Sequence, residues 1–195
     1  LNSPEPQQVE EGEGLTVLNQ TDTSYASMVY ALDENIGRIQ EKLKATGLDE
    51  NTIIIFTSDN GGLSTLARNW RVAPTSVRPL RGGKGWCYEG GIRVPLIIKA
   101  KGKIKANTTN DVPVVSHDFY PTILEYTGMQ MKPDQHVDGL SLMPLLNGAT
   151  KLDRDALFWH FPHYHGSAWK PGAAIRKGNW KLVEFYEEQR TELYN

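Results

Sequence analysis

The chain has 195 residues, 39% hydrophobic and 23% charged, with a formal net charge of −2. This composition excludes a disordered tail and gives no general attraction to nucleic acid or an anionic membrane surface. The single cysteine, Cys87, excludes an internal disulfide framework and a Cys-rich metal site, and no apolar run approaches the ~20 residues of a bilayer span.

Residues 1 to about 20 carry Pro, Gly, Gln and Glu, and read as a loop without the apolar core of a signal peptide. The segment YASMVYALDENIGRIQEKLKATG then has a helical period. Tyr25, Met28, Val29, Leu32, Ile36, Ile39 and Leu43 share one face, expected to pack on the protein's own sheet. Thr23 or Ser24 suits the N-cap and Gly47 the position after the helix. After a turn at Leu48–Asn51, Ile53, Ile54, Ile55 and Phe56 form an unbroken apolar run. That pattern predicts a strand covered on both faces, as in a parallel sheet flanked by helices.

Residues 61–93 are rich in Gly, Arg and Trp without a clear period, which predicts a long functional loop. PLIIKA (95–100) reads as a strand. SHDFYPTILEYTG reads as a helix capped by Asp118, with Pro121 in its first turn and Gly128 at its end. His117 is assigned to capping or packing. A boundary is expected near 150. Beyond it ALFWHF, AAIRK and WKLVEFY read as strands, the last two joined by the three-residue hairpin loop KGN.

Two loops carry candidate chemistry. In SDNGG (58–62), Asp59 and Asn60 follow a strand, where open parallel sheets place their ligands. A carboxylate beside an amide carbonyl suits a hard cation such as Ca²⁺ or Mg²⁺ better than zinc. Two such ligands leave the Ca²⁺ shell incomplete, and DNGG taken alone also reads as an ordinary turn. In RPLRGGKGWCYEGGIRVP (78–95), paired glycines surround Lys84, Arg78, Arg81 and Arg93, a composition that binds oxyanions. Gly85 after Lys84 rules out a P-loop, and Lys84 alone also reads as a solvated surface lysine. His160, His163 and His165 lie in HFPHYHG, where substrate contact and packing are both open and no carboxylate accompanies them for a metal. Cys87 has no base supplied by sequence and reads as a packed thiol.

Taken in order, these segments resemble the C-terminal half of the type I sulfatases, within the alkaline-phosphatase-like superfamily. The matching stretches are the helix and strand leading into SDNGG, the loop LRGGKGWCYEGGIRVPLIIK, then SHDFYPTILEYTG, DGLSLMPLLNG and AIRKGNWKLVEFY…ELYN. The resemblance implies an α/β fold. Residues 1–150 would be the C-terminal part of the catalytic sandwich, a mostly parallel sheet with flanking helices. Residues 151–195 would be a small, incomplete antiparallel β subdomain. It implies hydrolysis of sulfate esters of carbohydrates. Asp59 and Asn60 would be Ca²⁺ ligands and Lys84 the sulfate-contacting lysine. From the histidine loop itself, His160 and His163 are taken as the candidate substrate contacts. Glu89 and Arg93 would hold the lysine loop onto the sheet. The nucleophile in the family is a formylglycine made within a C-x-P-S-R-type motif, and no such motif occurs here. It and the remaining metal ligands are expected upstream of Leu1, so this chain alone is expected to be inactive.

Two alternatives stay open: a phosphodiesterase or phosphonate hydrolase of the same superfamily, and a non-catalytic module binding sulfated glycans. The expected partner is a sulfated carbohydrate or other sulfate ester, with no nucleic acid and no membrane span. Self-association through an exposed sheet is a further expectation, and the resemblance implies a periplasmic or secreted parent. Specificity is expected from residues 63–80 and 160–172, where Trp70 and Trp169 either stack on a sugar or pack inside.

Overall fold

The computed structural model describes residues 4–195. Strands β1 (Gln8–Glu11) and β2 (Gly14–Val17) precede helix α1 (Thr23–Ala45), a 3₁₀ turn at Leu48–Asn51, and strands β3 (Ile53–Thr57) and β4 (Thr65–Ala67). The short helix α2 (Glu89–Ile92), strand β5 (Leu96–Ala100), and helices α3 (Phe119–Tyr126) and α4 (Met143–Leu146) follow. Strands β6 (Leu157–Phe161), β7 (Gly172–Lys177), β8 (Trp180–Phe185) and β9 (Arg190–Tyr194) close the chain. The strands form three sheets, ordered β1-β2-β4, β3-β5 and β6-β7-β8-β9.

The stretch expected to be an N-terminal loop is a hairpin. Glu11 pairs with Gly14 across a two-residue turn in which Gly12 has φ +56°. The signal was short: Leu15 and Val17 are separated by one polar residue, and only Val17 enters a core, with Leu66 and Ala73. Strand β4, inside the region read as one long loop, completes this sheet by pairing Leu66 with Leu15.

Helix α1 forms where its period predicts. Its cap lies one residue earlier than expected: Asp22 Oδ1 accepts the Tyr25 N–H at 2.9 Å. Gly47, at φ +71°, takes the left-handed conformation that follows a helix end. The expected packing of its apolar face does not occur among the described residues. No α1 residue is buried, and Met28, Leu32 and Ile39 are 62%, 53% and 60% exposed. Strands β3 and β5 likewise are only partly buried, so the expected cover on both faces is not present among the described residues.

The chain divides into two compact units. Among the described residues, one comprises 4–45, 56–96 and 155–195, so the lysine loop belongs with the C-terminal sheet. Trp86, Cys87 and Tyr88 from that loop form its main core with Trp169, Ala174, Val183 and Phe185. The indole of Trp86 stacks on Tyr88 at 5.4 Å and meets Trp169 edge-on at 5.6 Å. The hairpin between β7 and β8 turns on two residues rather than three, since Lys177 pairs directly with Trp180 and Gly178 takes φ +56°. Strand β9, too polar to announce itself, pairs with β8 from Lys181–Tyr194 to Phe185–Arg190.

The second unit comprises residues 46–55 and 97–154. Its organising group is Asp118, whose side chain is fully buried. The carboxylate accepts the N–H groups of Val115 and Leu140, each at 2.9 Å, and is gripped by the Arg154 guanidinium. It therefore ties the start of α3 to two distant segments rather than capping α3 itself. Burial alone would raise its pKa, but Arg154 and the two backbone donors outweigh burial and hold it below the usual carboxylate range.

Candidate active site

Asp59 and Asn60 stand just past β3, as expected for a ligand-binding strand end. The Asn60 amide nitrogen donates to the Gly61 carbonyl at 3.0 Å, and Ser58 Oγ donates to the Asn60 carbonyl at 2.8 Å. The loop is thereby fixed from within, and the Asn60 side-chain oxygen is left as the free end of the amide. The Asp59 carboxylate is exposed and has no hydrogen bond or ion pair among the described residues. Two oxygen donors side by side fit one side of a Ca²⁺ site, and the described residues hold no cluster of three or more His, Cys, Asp or Glu side chains placed for a metal ion.

The lysine loop lies directly against this strand end. Gly61 N donates to Gly91 O, and Lys84 N donates to Gly62 O, both at 2.9 Å. Ser64 Oγ donates to Gly82 O at 2.8 Å. The backbones approach so closely that a side chain cannot fit: a Cβ on Gly61 would fall 1.7 Å from Gly90 O, and one on Gly91 2.0 Å from Trp86 O. The paired glycines thus exist for backbone contact between two loops, in addition to any turn they permit. The Lys84 side chain itself is exposed.

Glu89 anchors this loop to the C-terminal sheet. Its carboxylate accepts from Lys181 Nζ at 2.9 Å and from Arg176 at 3.4 Å. Lys181 is buried, with its ammonium 5.3 Å from the Trp159 ring centroid. Burial lowers its pKa and Glu89 opposes this, leaving a net decrease. Cys87 beside it is also buried, and desolvation pushes its thiol up to about 11, which makes it an inert packing group.

The three histidines separate. His160 lies on β6, exposed, with its ring 6.0 Å from Tyr186. His163 is exposed at the edge of Phe161. His165 is the one set against the lysine loop: a Cβ on Gly85 would lie 2.1 Å from its Nδ1. Sequence reasoning did not single it out from its neighbours; the signal was Gly85, which vacates the space its ring occupies. Of the two candidate aromatics, Trp169 is a core residue, whereas Trp70 is 63% exposed.

A separate cleft of about 250 Å³ is lined by Glu11, Glu13, Arg81, Tyr88, Lys170 and Arg190 among others. Its charges satisfy one another, with Arg81–Glu11 at 2.8 Å and Lys170–Glu13 at 2.9 Å. It is a clasp of the N-terminal hairpin onto the C-terminal sheet.

Residues 2–129 match the family model described as Sulfatase, and residues 83–195 match that of the N-sulphoglucosamine sulphohydrolase C-terminal region. This chain belongs to the sulfatase family. It is 38% identical over 193 residues to a sulfatase of Formosa agariphila, covering 90% of this chain and 34% of that protein. It is 34% identical over 181 residues to an N-acetylglucosamine-6-O-sulfatase of Bacteroides thetaiotaomicron, covering 88% of this chain and 29% of the relative. The sulfatase-family chain thus spans about a third of the length of these curated relatives. Its fold superposes on BT4656, solved in complex with its substrate D-glucosamine-2-N,6-O-disulfate. The TM-score is 0.71 at 32% identity, over 86% of this chain and 32% of that one. The fold is therefore the C-terminal part of the alkaline-phosphatase-like α/β architecture with a small four-stranded antiparallel sheet.

Proposed function

We propose that this chain forms the sulfate-holding side of a carbohydrate sulfatase active site. Asp59 and Asn60 would hold a Ca²⁺ ion through their side-chain oxygens, and Lys84 would contact the sulfate group. A Ca²⁺ ion held by Asp59 and Asn60 would supply positive charge to the sulfate group. Lys84 offers a compact positive charge to the same group, so that charge developing in the transition state meets a preplaced cation. The attacking group, a formylglycine by family resemblance, is not assigned to any residue of this chain.

The observation that supports this reading is the backbone seam from Gly61–Gly91 to Gly62–Lys84, which fixes the oxygen pair and the lysine to one another. A carbohydrate substrate is supported by the names of the relatives, one an N-acetylglucosamine-6-O-sulfatase and one bound to a glucosamine disulfate. In the protein that contains this chain, Lys84→Ala should lower kcat/KM on a sulfated sugar about 10²-fold. Asp59→Ala should remove calcium measured by elemental mass spectrometry. Full activity in the first variant, or undiminished calcium in the second, would sink the assignment.

A further inference from the structure

The two loops expected to set specificity meet. Ala67 N donates to Gly166 O at 3.2 Å, and a Cβ on Gly166 would lie 3.3 Å from the end of the Trp70 indole. The exposed Trp70 ring therefore stands over the turn that carries His165. That turn is itself tied to the lysine loop, since Trp86 Nε1 donates to Ser167 O at 2.7 Å.

The hydrogen bonds around His165 fix its proton. The Ser167 backbone N–H lies 3.2 Å from His165 Nδ1, and a backbone amide only donates. Nδ1 is thus an acceptor, and the neutral ring carries its proton on Nε2. The Ser167 hydroxyl, 2.8 Å from the same Nδ1, donates as well. Nε2–H has no hydrogen-bond partner among the described residues. Burial, and then the Lys84 charge, lower the pKa of this ring, so it stays neutral near pH 7.

We propose that His165 and Trp70 form a sugar subsite beside Lys84, with Nε2–H donating to a sugar oxygen and the indole face covering the ring. The proposal rests on the sulfatase reading of Lys84. An amphipathic indole face and one oriented neutral donor suit a polyol ring, whereas a second cation would suit another anion.

The test uses the protein that contains this chain, with sulfated monosaccharides including N-acetylglucosamine 6-O-sulfate as substrates and inorganic sulfate as inhibitor. His165→Phe keeps a ring against Gly85 but removes the donor, and Trp70→Ala removes the platform. Each should lower kcat/KM on the best sugar at least tenfold, through KM, while sulfate inhibition stays within twofold. Either variant keeping kcat/KM within twofold overturns the subsite, as does an equal loss of sulfate inhibition. Lys84→Ala should weaken sulfate inhibition at least tenfold. If it does not, the sulfatase-site reading fails, independently of the sugar effects. Nitrogen-15 spectra of labelled histidine give a second check that needs no variant. A His165 resonance with its proton on Nδ1 overturns the proposal, and the Nε2–H form supports it.

Discussion

The Lys84 backbone N–H donates to the Gly62 carbonyl at 2.9 Å, two residues beyond Asn60. The candidate metal ligands and the candidate sulfate-binding lysine are therefore held on one backbone seam.

The seam should fail when a methyl group enters it. Gly61→Ala places a Cβ 1.7 Å from the Gly90 carbonyl oxygen and is expected to cost about 3 kcal/mol in urea unfolding. Gly37→Ala, in α1 with open space around it, should instead be neutral or stabilise by up to about 1 kcal/mol. Equal effects of the two substitutions would refute the role given to the seam.

Lys84→Ala removes an exposed side chain while leaving its backbone hydrogen bond. Its unfolding free energy should stay within about 0.5 kcal/mol of the parent. A large loss of stability would mean that the lysine serves folding rather than substrate.

Glu89→Gln should loosen the lysine loop, because it leaves the buried Lys181 ammonium without its carboxylate. The expected cost is about 3 kcal/mol. Lys181→Met together with Glu89→Gln should recover much of it, and a double-mutant cycle measures the difference.

The Asp118–Arg154 pair predicts an acid transition. The folded pKa of Asp118 lies below its unfolded value, so its contribution is complete above about pH 4 and is lost as pH falls through the folded value. Arg154→Ala should remove this grip, cost about 3–5 kcal/mol and move acid unfolding to higher pH. An unchanged acid midpoint by circular dichroism would contradict it.

Cys87, with its thiol pushed up to about 11 by burial, should resist alkylation at pH 8 in the folded protein and react promptly in urea. Fast labelling of the native state would show the Trp86–Tyr88 core to be open.

Much of this was legible in sequence because strong local patterns survive tertiary context. The α1 period, the β3 and β5 runs and the turn glycines appear where residue spacing placed them. The hairpin β1–β2 and strands β4 and β9 were not legible. They are three to five residues long; β1 and β9 are mostly polar, β2 and β4 carry only two apolar residues each, and β4 finds its partner far back in the chain, in β2. The α1 stripe predicted a burial that the described residues do not provide, because a pattern within one helix does not say what surface will cover it. At the site, sequence named Asp59, Asn60 and Lys84 as candidates, while His165 emerged only once Gly85 was seen beneath its ring. A histidine among three similar neighbours is distinguished by what packs on it, which spacing does not encode.

The glycine seam also dictates where this scaffold tolerates redesign. Its glycines Gly61, Gly83 and Gly91 admit no side chain, so diversity introduced at them would be lost to misfolding. Arg68–Val72 and Pro162–Tyr164 are exposed and flank the turn beside Lys84. Under the proposed function, a library confined to those two stretches is expected to change sugar preference while the backbone beneath stays in register.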